Sequence, residues 1–162
     1  MKQNLKKGLE NQDNIIKGTL DGKSFNVSIV VASYNGDIAQ GLLDGALKAL
    51  AECGTTDIKI IETMGAFEIP LIAKKCAAIS DAVICLGAII KGDTAHFDHV
   101  SNECSRGIQQ VMLETGKPII FGVLTTYTTF QAKERSLPDS FNEGYEAANT
   151  AISMCSLMNQ LS

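Results

Sequence analysis

The two histidines of the chain, His96 and His99, stand in one short polar stretch, residues 91–100, which reads KGDTAHFDHV. An imidazole titrates near neutral pH, so it is well suited to passing protons in a reaction. Just before His96, the backbone N–H groups and the hydroxyl of Asp93 and Thr94 would lie near a helix start, where they can cradle a phosphate or an oxyanion. We take His96 as the candidate catalytic residue, and Asp93 and Thr94 as candidate phosphate-binding residues.

A metal site is a weaker interpretation of the same stretch. Two histidines three residues apart can share a metal, but no third ligand stands at a fixed spacing from them. The five cysteines, at positions 53, 76, 85, 104 and 155, include no pair with zinc-binding spacing. We therefore expect no metal, and we expect His99 to be a solvated or helix-capping side chain.

Three further residues have side chains that could bind a ligand, and each follows an apolar run. Tyr34 could stack on a planar ligand or pack over the end of the sheet. Glu68 could accept hydrogen bonds from substrate hydroxyls or stabilise the positive end of a helix. Arg135 could grip a phosphate with two N–H groups, or pair on the surface with Glu134 or Glu143. The residues alone leave each of these alternatives open.

Strands are predicted by the short, β-branched apolar runs that precede these stretches. Near-continuous hydrophobicity is typical of strands that are covered on both faces of a parallel sheet. Ligands bind beyond the carboxyl ends of such strands, so the stretches after them are where site residues are expected. The predicted strands are residues 27–32, 58–61, 82–90 and 119–124.

Helices are predicted where apolar residues recur at helical spacing between and after the strands. The alternation indicates βαβ units, and therefore a three-layer α/β/α domain with a central, mostly parallel four-stranded sheet. A further short strand is expected at residues 15–20, an edge that would be protected by pairing with another chain. The predicted helical faces span residues 38–50, 69–77, 100–112 and 147–158.

Composition limits the class of protein. The 162 residues suit one domain, here residues 14–162, preceded by a polar and flexible tail over residues 1–13. The excess of 18 acidic over 14 basic residues argues against a nucleic-acid binder. No apolar run approaches the roughly 20 residues that span a bilayer, and no apolar stretch of a secretory signal follows the first lysines. An odd number of cysteines without a CxxC pair predicts reduced core thiols in a cytoplasmic protein.

The residues by themselves thus predict an α/β domain that binds a phosphate-bearing ligand and moves protons through His96. Two classes of protein fit that description: an enzyme, and a flavodoxin-like binding module without turnover. Composition and spacing do not discriminate between them.

Four stretches together resemble the 6,7-dimethyl-8-ribityllumazine synthase family, the beta-chain family of riboflavin biosynthesis. Each matches a family motif in type and spacing, and the match extends over about residues 14–158. The stretches are SYN with LLDGA at residues 33–46, GAFEIP at 65–70, LGAIIKGDTAHFD at 86–98, and FGVLTT with QAKER at 121–135. The resemblance implies a flavodoxin-like fold whose N-terminal strand pairs with a neighbouring subunit.

The resemblance also implies a reaction. This transferase family condenses 5-amino-6-(D-ribitylamino)uracil with 3,4-dihydroxy-2-butanone 4-phosphate, giving 6,7-dimethyl-8-ribityllumazine, phosphate and water, in the penultimate step of riboflavin biosynthesis. No metal or organic cofactor is implied. The amine of the substrate is itself the nucleophile, so the protein has to supply orientation, proton transfer and phosphate binding.

The resemblance assigns roles to the candidate residues. His96 transfers protons, while Asp93, Thr94 and Arg135 bind the phosphate of the butanone substrate. Arg135 and Phe121 would come from the neighbouring subunit. The residues implied to bind the ribitylaminouracil are Tyr34, Ala66, Phe67, Glu68, Ala88, Ile89, Ile90 and Phe121.

Assembly is implied as well. The family forms homopentamers with active sites between subunits, and some members build a sixty-subunit shell of twelve pentamers. The sequence leaves the shell open for this chain. Riboflavin synthase is a candidate partner, while neither nucleic acid nor a membrane is expected as one.

Overall fold

A computed structural model describes residues 14–162, so the predicted tail at residues 1–13 lies outside the described residues. Strands and helices alternate along the chain as the sequence predicts, with one 3₁₀ turn and one short helix added. In chain order the elements are β1 (Asn26–Ala32), α1 (Gly36–Glu52), β2 (Asp57–Thr63), a 3₁₀ turn (Ala66–Glu68), α2 (Ile69–Ala77), β3 (Ala82–Ile90), α3 (His96–Thr115), β4 (Ile119–Thr126), α4 (Thr129–Glu134) and α5 (Glu143–Gln160).

The four strands form one parallel sheet in the order β2-β1-β3-β4. From β1 the chain goes outward to β2 and then crosses back to add β3 on the other side of β1. Connections therefore leave the carboxyl ends of β1 and β3 in opposite directions, which opens a crevice at that edge of the sheet. This order confirms the predicted three-layer, flavodoxin-like α/β fold.

Burial of the strands follows their place in the sheet. Every residue of β3 except Ile90 is buried, as is every residue of β1 except Asn26. Strand β2 was predicted to be covered on both faces, but this is wrong, because only Thr63 is buried and Ile60 is half exposed. The reason is its position at the edge, where helices cover less of the strand.

Two cores lie on the two faces of the sheet. One packs β1 and β3 against α1 and α5, with Leu42, Leu50 and Ile152 fully buried between them. The other packs the opposite face against α2 and α3 through Ile69 and Ile108. Helices α1 and α5 meet at their backbones: a Cβ on Gly144 would come within 2 Å of the Leu42 carbonyl oxygen. The sheet is therefore held between two helical layers, while the ends of its strands and the edge strand β2 remain open.

The segment before β1 differs from its prediction. Residues 15–20 have no strand partner in the described chain and run as irregular backbone against α5. The Thr19 N–H donates to the Ser156 hydroxyl at 3.0 Å, and the Gln160 amide donates to the Lys17 carbonyl at 2.9 Å. Pairing of this segment with a neighbouring subunit stays a prediction. Among the helices of residues 14–162, none combines the length and the apolar character that crossing a bilayer requires.

All five cysteines are free and buried. Loss of hydration in the core raises the pKa of the Cys104 thiol to about 12 and that of the Cys155 thiol to about 11. The same cause raises the pKa of the Cys53, Cys76 and Cys85 thiols. Since the thiolate is the reactive form, these groups are chemically quiet in the folded protein, as expected of small core residues.

We therefore expect a thiol-specific disulfide reagent at pH 8 to modify none of the five cysteines on the timescale of minutes while the protein is folded. Addition of denaturant should release five reactive thiols per chain, which the absorbance of the leaving group would count. Fast reaction of one thiol in the native protein would contradict the burial described above.

Candidate active site

A large cleft, of about 770 Å³, lies at the crevice between the carboxyl ends of β1 and β3. Its walls come from the turns after β1, β2 and β3 and from the first turn of α3. The cleft brings together residues that are up to 97 positions apart in sequence, from Ala32 to Thr129. Nine of the predicted site residues line it: Tyr34, Ala66, Phe67, Glu68, Ala88, Ile89, Ile90, Thr94 and His96.

The turn after β1 is fixed by Asn35. Its backbone is left-handed (φ 62°, ψ 51°), a conformation that asparagine tolerates better than most residues. Asn35 stands at the N-cap position of α1, but its side chain makes no capping bond. Its amide instead donates to the Ala88 carbonyl on β3 at 2.9 Å, and so ties the turn to the floor of the cleft. Tyr34, next to it, is 74% exposed at the cleft, so its ring does not pack over the sheet end.

The turn after β2 presents Glu68. The Ser33 N–H donates to the Thr63 carbonyl at 2.9 Å, and the Thr63 hydroxyl donates to the Gly65 carbonyl at 3.1 Å, which fixes the start of the turn. The Glu68 carboxylate folds back over this turn, since a Cβ on Gly65 would lie 2.9 Å from its Oε2 atom. Within residues 14–162 the carboxylate makes no hydrogen bond or ion pair, so it is available to a ligand in the cleft.

The turn after β3 leads into α3. Ala88 and Ile89 are buried in the floor of the cleft, and the chain then emerges as an exposed loop. The loop is held to β4 by the Lys91 N–H, which donates to the Thr126 carbonyl at 2.9 Å. The twenty-residue helix α3 begins at His96, whose N–H approaches the Thr94 hydroxyl at 3.4 Å. The positive end of a long helix thus faces the cleft beside an exposed imidazole. Asp93 is exposed in the same loop but is not part of the cleft wall.

A cationic and aromatic cluster borders this loop. The Lys91 ammonium lies 5.3 Å from the centre of the Tyr127 ring, within the range of a cation–π contact. The Tyr127 ring in turn lies 6.2 Å from the ring of Phe97, which lines the cleft. The cluster places a positive charge close to the helix start, where an anion would also be favoured.

Phe121 and Arg135 do not lie in the large cleft. They line a second, separate cleft of about 300 Å³ along β4 and α4, together with Gln131 and Glu143. Arg135 ends α4, and its guanidinium donates to the Gln131 carbonyl at 3.2 Å. One chain therefore holds two partial sets of the predicted site residues. Phe121 and Arg135 line the small cleft, nine others line the large cleft, and Asp93 lines neither.

Sequence reasoning missed several residues of the large cleft. Phe97, His99 and Val100 line it from the first turns of α3, and Thr129 lines it from the start of α4. For His99 and Val100 the signal was available, because positions three and four after His96 share its helical face. His99 is exposed, as expected of a solvated side chain, and it also forms part of the cleft wall. No comparable signal marks Thr129, which reaches the cleft only through the packing of α4.

No metal site stands out within the described part of the chain. Over residues 14–162, no three side chains of histidine, cysteine, aspartate or glutamate are grouped as metal ligands would be. The polar side chains that line the large cleft are instead one carboxylate, two imidazoles, three hydroxyls and one amide. Such a set can bind hydroxyls and an anion and can move protons.

Comparison with known proteins gives one consistent result. The family model for 6,7-dimethyl-8-ribityllumazine synthase matches residues 24–159. The chain is 53% identical over 154 residues to the 6,7-dimethyl-8-ribityllumazine synthase of Desulfotalea psychrophila (strain LSv54 / DSM 12343), covering 91% of this chain and 98% of the relative. It is 48% identical over 151 residues to the enzyme of the same name from Syntrophus aciditrophicus (strain SB), again covering 91% and 98%.

The role of Asn35 can be tested by a matched pair of variants. Asn35→Gly removes the bond to Ala88 but accepts the left-handed backbone, whereas Asn35→Ala loses the bond and adds strain. We expect Asn35→Ala to lower the free energy of unfolding by on the order of 1 kcal/mol more than Asn35→Gly does. Urea denaturation curves would measure the difference. Equal losses in the two variants would show that the left-handed turn is not a constraint.

Proposed function

The chain belongs to the 6,7-dimethyl-8-ribityllumazine synthase family, and on that premise we propose how its residues share the work of the family's reaction. The reaction joins 5-amino-6-(D-ribitylamino)uracil to 3,4-dihydroxy-2-butanone 4-phosphate and yields 6,7-dimethyl-8-ribityllumazine, phosphate and water. It makes the protein a transferase of riboflavin biosynthesis. The observation that carries the assignment of roles is the large cleft, which gathers nine of the predicted residues at the crevice of the sheet.

The ribitylaminouracil occupies the inner part of this cleft. Ala88, Ile89 and Ile90 offer an apolar floor for a flat pyrimidine, and the exposed ring of Tyr34 offers a surface for stacking. The ribityl chain carries hydroxyl groups that can donate hydrogen bonds. The carboxylate of Glu68, which has no partner within residues 14–162, can accept them. The turn at Ala66 and Phe67 lines the cleft, and its backbone N–H groups supply donors to the ribityl chain.

The phosphate of the second substrate binds at the start of α3. Backbone N–H groups at a helix start point at an anion, and the helix dipole is equivalent to about half a positive charge there. Asp93 contributes through its backbone and Thr94 through its hydroxyl. The Lys91 ammonium, held by the ring of Tyr127, adds a positive charge near this end of the cleft.

His96 moves the protons of the reaction. Attack of the substrate amine on the ketone gives a carbinolamine, which loses water only after a proton reaches the departing oxygen. Departure of phosphate likewise needs a proton to leave a carbon neighbouring the imine. The His96 side chain is exposed at the cleft and beside the phosphate end, so it is positioned to serve both steps.

A complete site forms between two subunits. Phe121 and Arg135 stand in the second cleft of the chain, so they act on the substrates held in the large cleft of a neighbour. Phe121 then closes the pyrimidine from the other side, and Arg135 adds a guanidinium to the phosphate. The assembly that we propose is a cytoplasmic homopentamer, with residues 15–20 pairing with the neighbour. A sixty-subunit shell and an association with riboflavin synthase are further steps that the same family membership makes worth testing.

A second candidate function is a binder that has kept the cleft and lost turnover. Glu143 favours it, because this carboxylate lines the same small cleft as Arg135 and opposes the approach of a phosphate. The two candidates differ in one direct measurement. A binder would retain ribityl compounds but form no lumazine from the two substrates.

Lumazine formation is therefore the first test. Purified protein mixed with both substrates should produce the lumazine chromophore faster than the uncatalysed background. His96→Gln should reduce kcat by roughly 10- to 10⁴-fold. The range extends down to tenfold because the substrate amine is intrinsically reactive and depends less on proton transfer by the protein. His99→Gln is the matched control and should retain more activity than His96→Gln does. A wild-type rate equal to the background in a folded, oligomeric protein would reject the synthase assignment.

The charges of the small cleft give a second pair of expectations. Arg135→Ala should raise the KM for the butanone phosphate with a smaller effect on the KM for the pyrimidine, because only the former carries phosphate. Glu143→Gln should lower the KM for the butanone phosphate a few-fold, with the gain largest at low ionic strength where the exposed charge is least screened. Steady-state kinetics at two salt concentrations would measure both effects. An unchanged KM for the butanone phosphate in Arg135→Ala would show that Arg135 does not bind the phosphate and is only a surface charge.

A further inference from the structure

Asn142 is one of the few buried polar residues, with 2% of its surface exposed. Its side-chain amide makes hydrogen bonds to three separate segments. The Nδ2 group donates to the Gly41 carbonyl on α1 at 3.0 Å and to the Leu137 carbonyl in the loop after α4 at 2.9 Å. The Oδ1 atom accepts the Tyr145 N–H at 3.0 Å and thereby caps α5. The Nδ2 group of Asn142 therefore donates two hydrogen bonds, and its Oδ1 atom accepts one.

The surface of α1 is shaped to receive this loop. A Cβ on Gly45 would lie 2.0 Å from the Oδ1 atom of Asn142, and a Cβ on Gly41 would lie 2.4 Å from the Ser136 carbonyl oxygen. Only residues without a side chain allow such close approach. Two glycines on one face of α1 thus hold both ends of the segment that follows Arg135.

Arg135 is coupled to this arrangement through the backbone. The Glu143 N–H donates to the Arg135 carbonyl at 2.9 Å, so the residue next to Asn142 fixes the peptide of Arg135 directly. Ser136, which follows Arg135, is the residue that packs on Gly41. Helix α4 has only six residues and is too short to hold an arginine in place by itself. The position of the guanidinium therefore depends on the loop that Asn142 locks.

We propose that Asn142 is a positioning residue that holds the loop after α4 on α1 and so sets where Arg135 presents its guanidinium in the small cleft. The proposal rests on the phosphate-binding role given to Arg135 under the proposed function. Asn142 touches no substrate and acts only through Arg135. Its removal should accordingly weaken recognition of the phosphate substrate while leaving the chemistry at His96 in place.

Asn142→Asp is the sharpest variant, because the side chain keeps its size and its capping oxygen. The new carboxylate oxygen faces the carbonyl oxygens of Gly41 and Leu137. It cannot donate the two hydrogen bonds that the amide made, and it repels both carbonyl oxygens. We expect the KM for the butanone phosphate to rise about tenfold, with kcat and the KM for the pyrimidine changed by less than about twofold. The inhibition constant of inorganic phosphate should rise in parallel. Asn142→Ser, which keeps a hydroxyl to cap α5, should show the same pattern more weakly and serves if the aspartate variant does not fold.

Ser28→Ala is the control for a merely structural effect. It removes a hydrogen bond of 2.7 Å between the buried hydroxyls of Ser28 and Ser80, near the amino end of the sheet and in neither cleft. Its thermal unfolding temperature should fall, with both KM values unchanged. If Asn142→Asp behaved like this control, losing stability with no selective change in KM, the proposal would be wrong.

A double-mutant cycle separates this proposal from the function on which it rests. In the Arg135→Ala background, Asn142→Asp should raise the KM for the butanone phosphate no further, because its effect passes through the missing guanidinium. Additive effects would show that Asn142 acts by another route and would overturn the proposal while leaving the role of Arg135 intact. If Arg135→Ala alone left that KM unchanged, the phosphate-binding role itself would fail, and the positioning proposal would fall with it.

Discussion

Burial of β1 and β3 on both faces is the constraint from which the rest of the molecule follows. Nearly every side chain on these two strands is enclosed, so nearly all of them have to be apolar. The exception is Ser28, whose hydroxyl is matched by that of Ser80 at 2.7 Å. Charged groups and imidazoles are consequently excluded from the buried parts of these two strands, and those of the large cleft lie in the segments that follow the carboxyl ends of the strands. The order of the strands then decides which of these turns meet, because β1 and β3 are neighbours whose connections diverge.

The two clefts differ in the kind of structural element that holds their side chains in place. The large cleft relies on rigid parts: strand ends, the turn at Asn35 and the start of a long helix. The small cleft relies on a short helix and a loop that need an external brace on α1. The residues proposed to bind the pyrimidine from the large cleft stand on the rigid parts, while Arg135 stands on the braced one. The proposed site between two subunits would bring the two kinds of support together.

The sequence was sufficient for the fold because its long elements carry strong periodicity. Strand β3 was predicted at its observed bounds, and the apolar faces of α1, α2, α3 and α5 all lie within observed helices. Strand β2 was predicted to be covered on both faces because an apolar run such as residues 58–61 can occur in an edge strand as well as in a central strand. Helix α4 was missed because six residues show no period, although Thr128 and Gln131 form a capping box that marks its start. The candidate site was predictable as a set of turns. The residues alone do not give the partition between two clefts, because it depends on how far β4 and α4 stand from β1, which no local pattern records. The family resemblance did imply that Phe121 and Arg135 serve a neighbouring subunit, and these two residues line the second cleft.

The enclosed cysteines have a practical consequence for work on this molecule. A protein whose own thiols are all buried presents no competing site for thiol-directed labelling. One cysteine introduced at an exposed position outside both clefts, such as Leu113 on α3, would be the sole site for a fluorophore or a spin label. Distances between such labels on neighbouring subunits would report the symmetry of the assembly directly in solution, with every native residue of the core left in place.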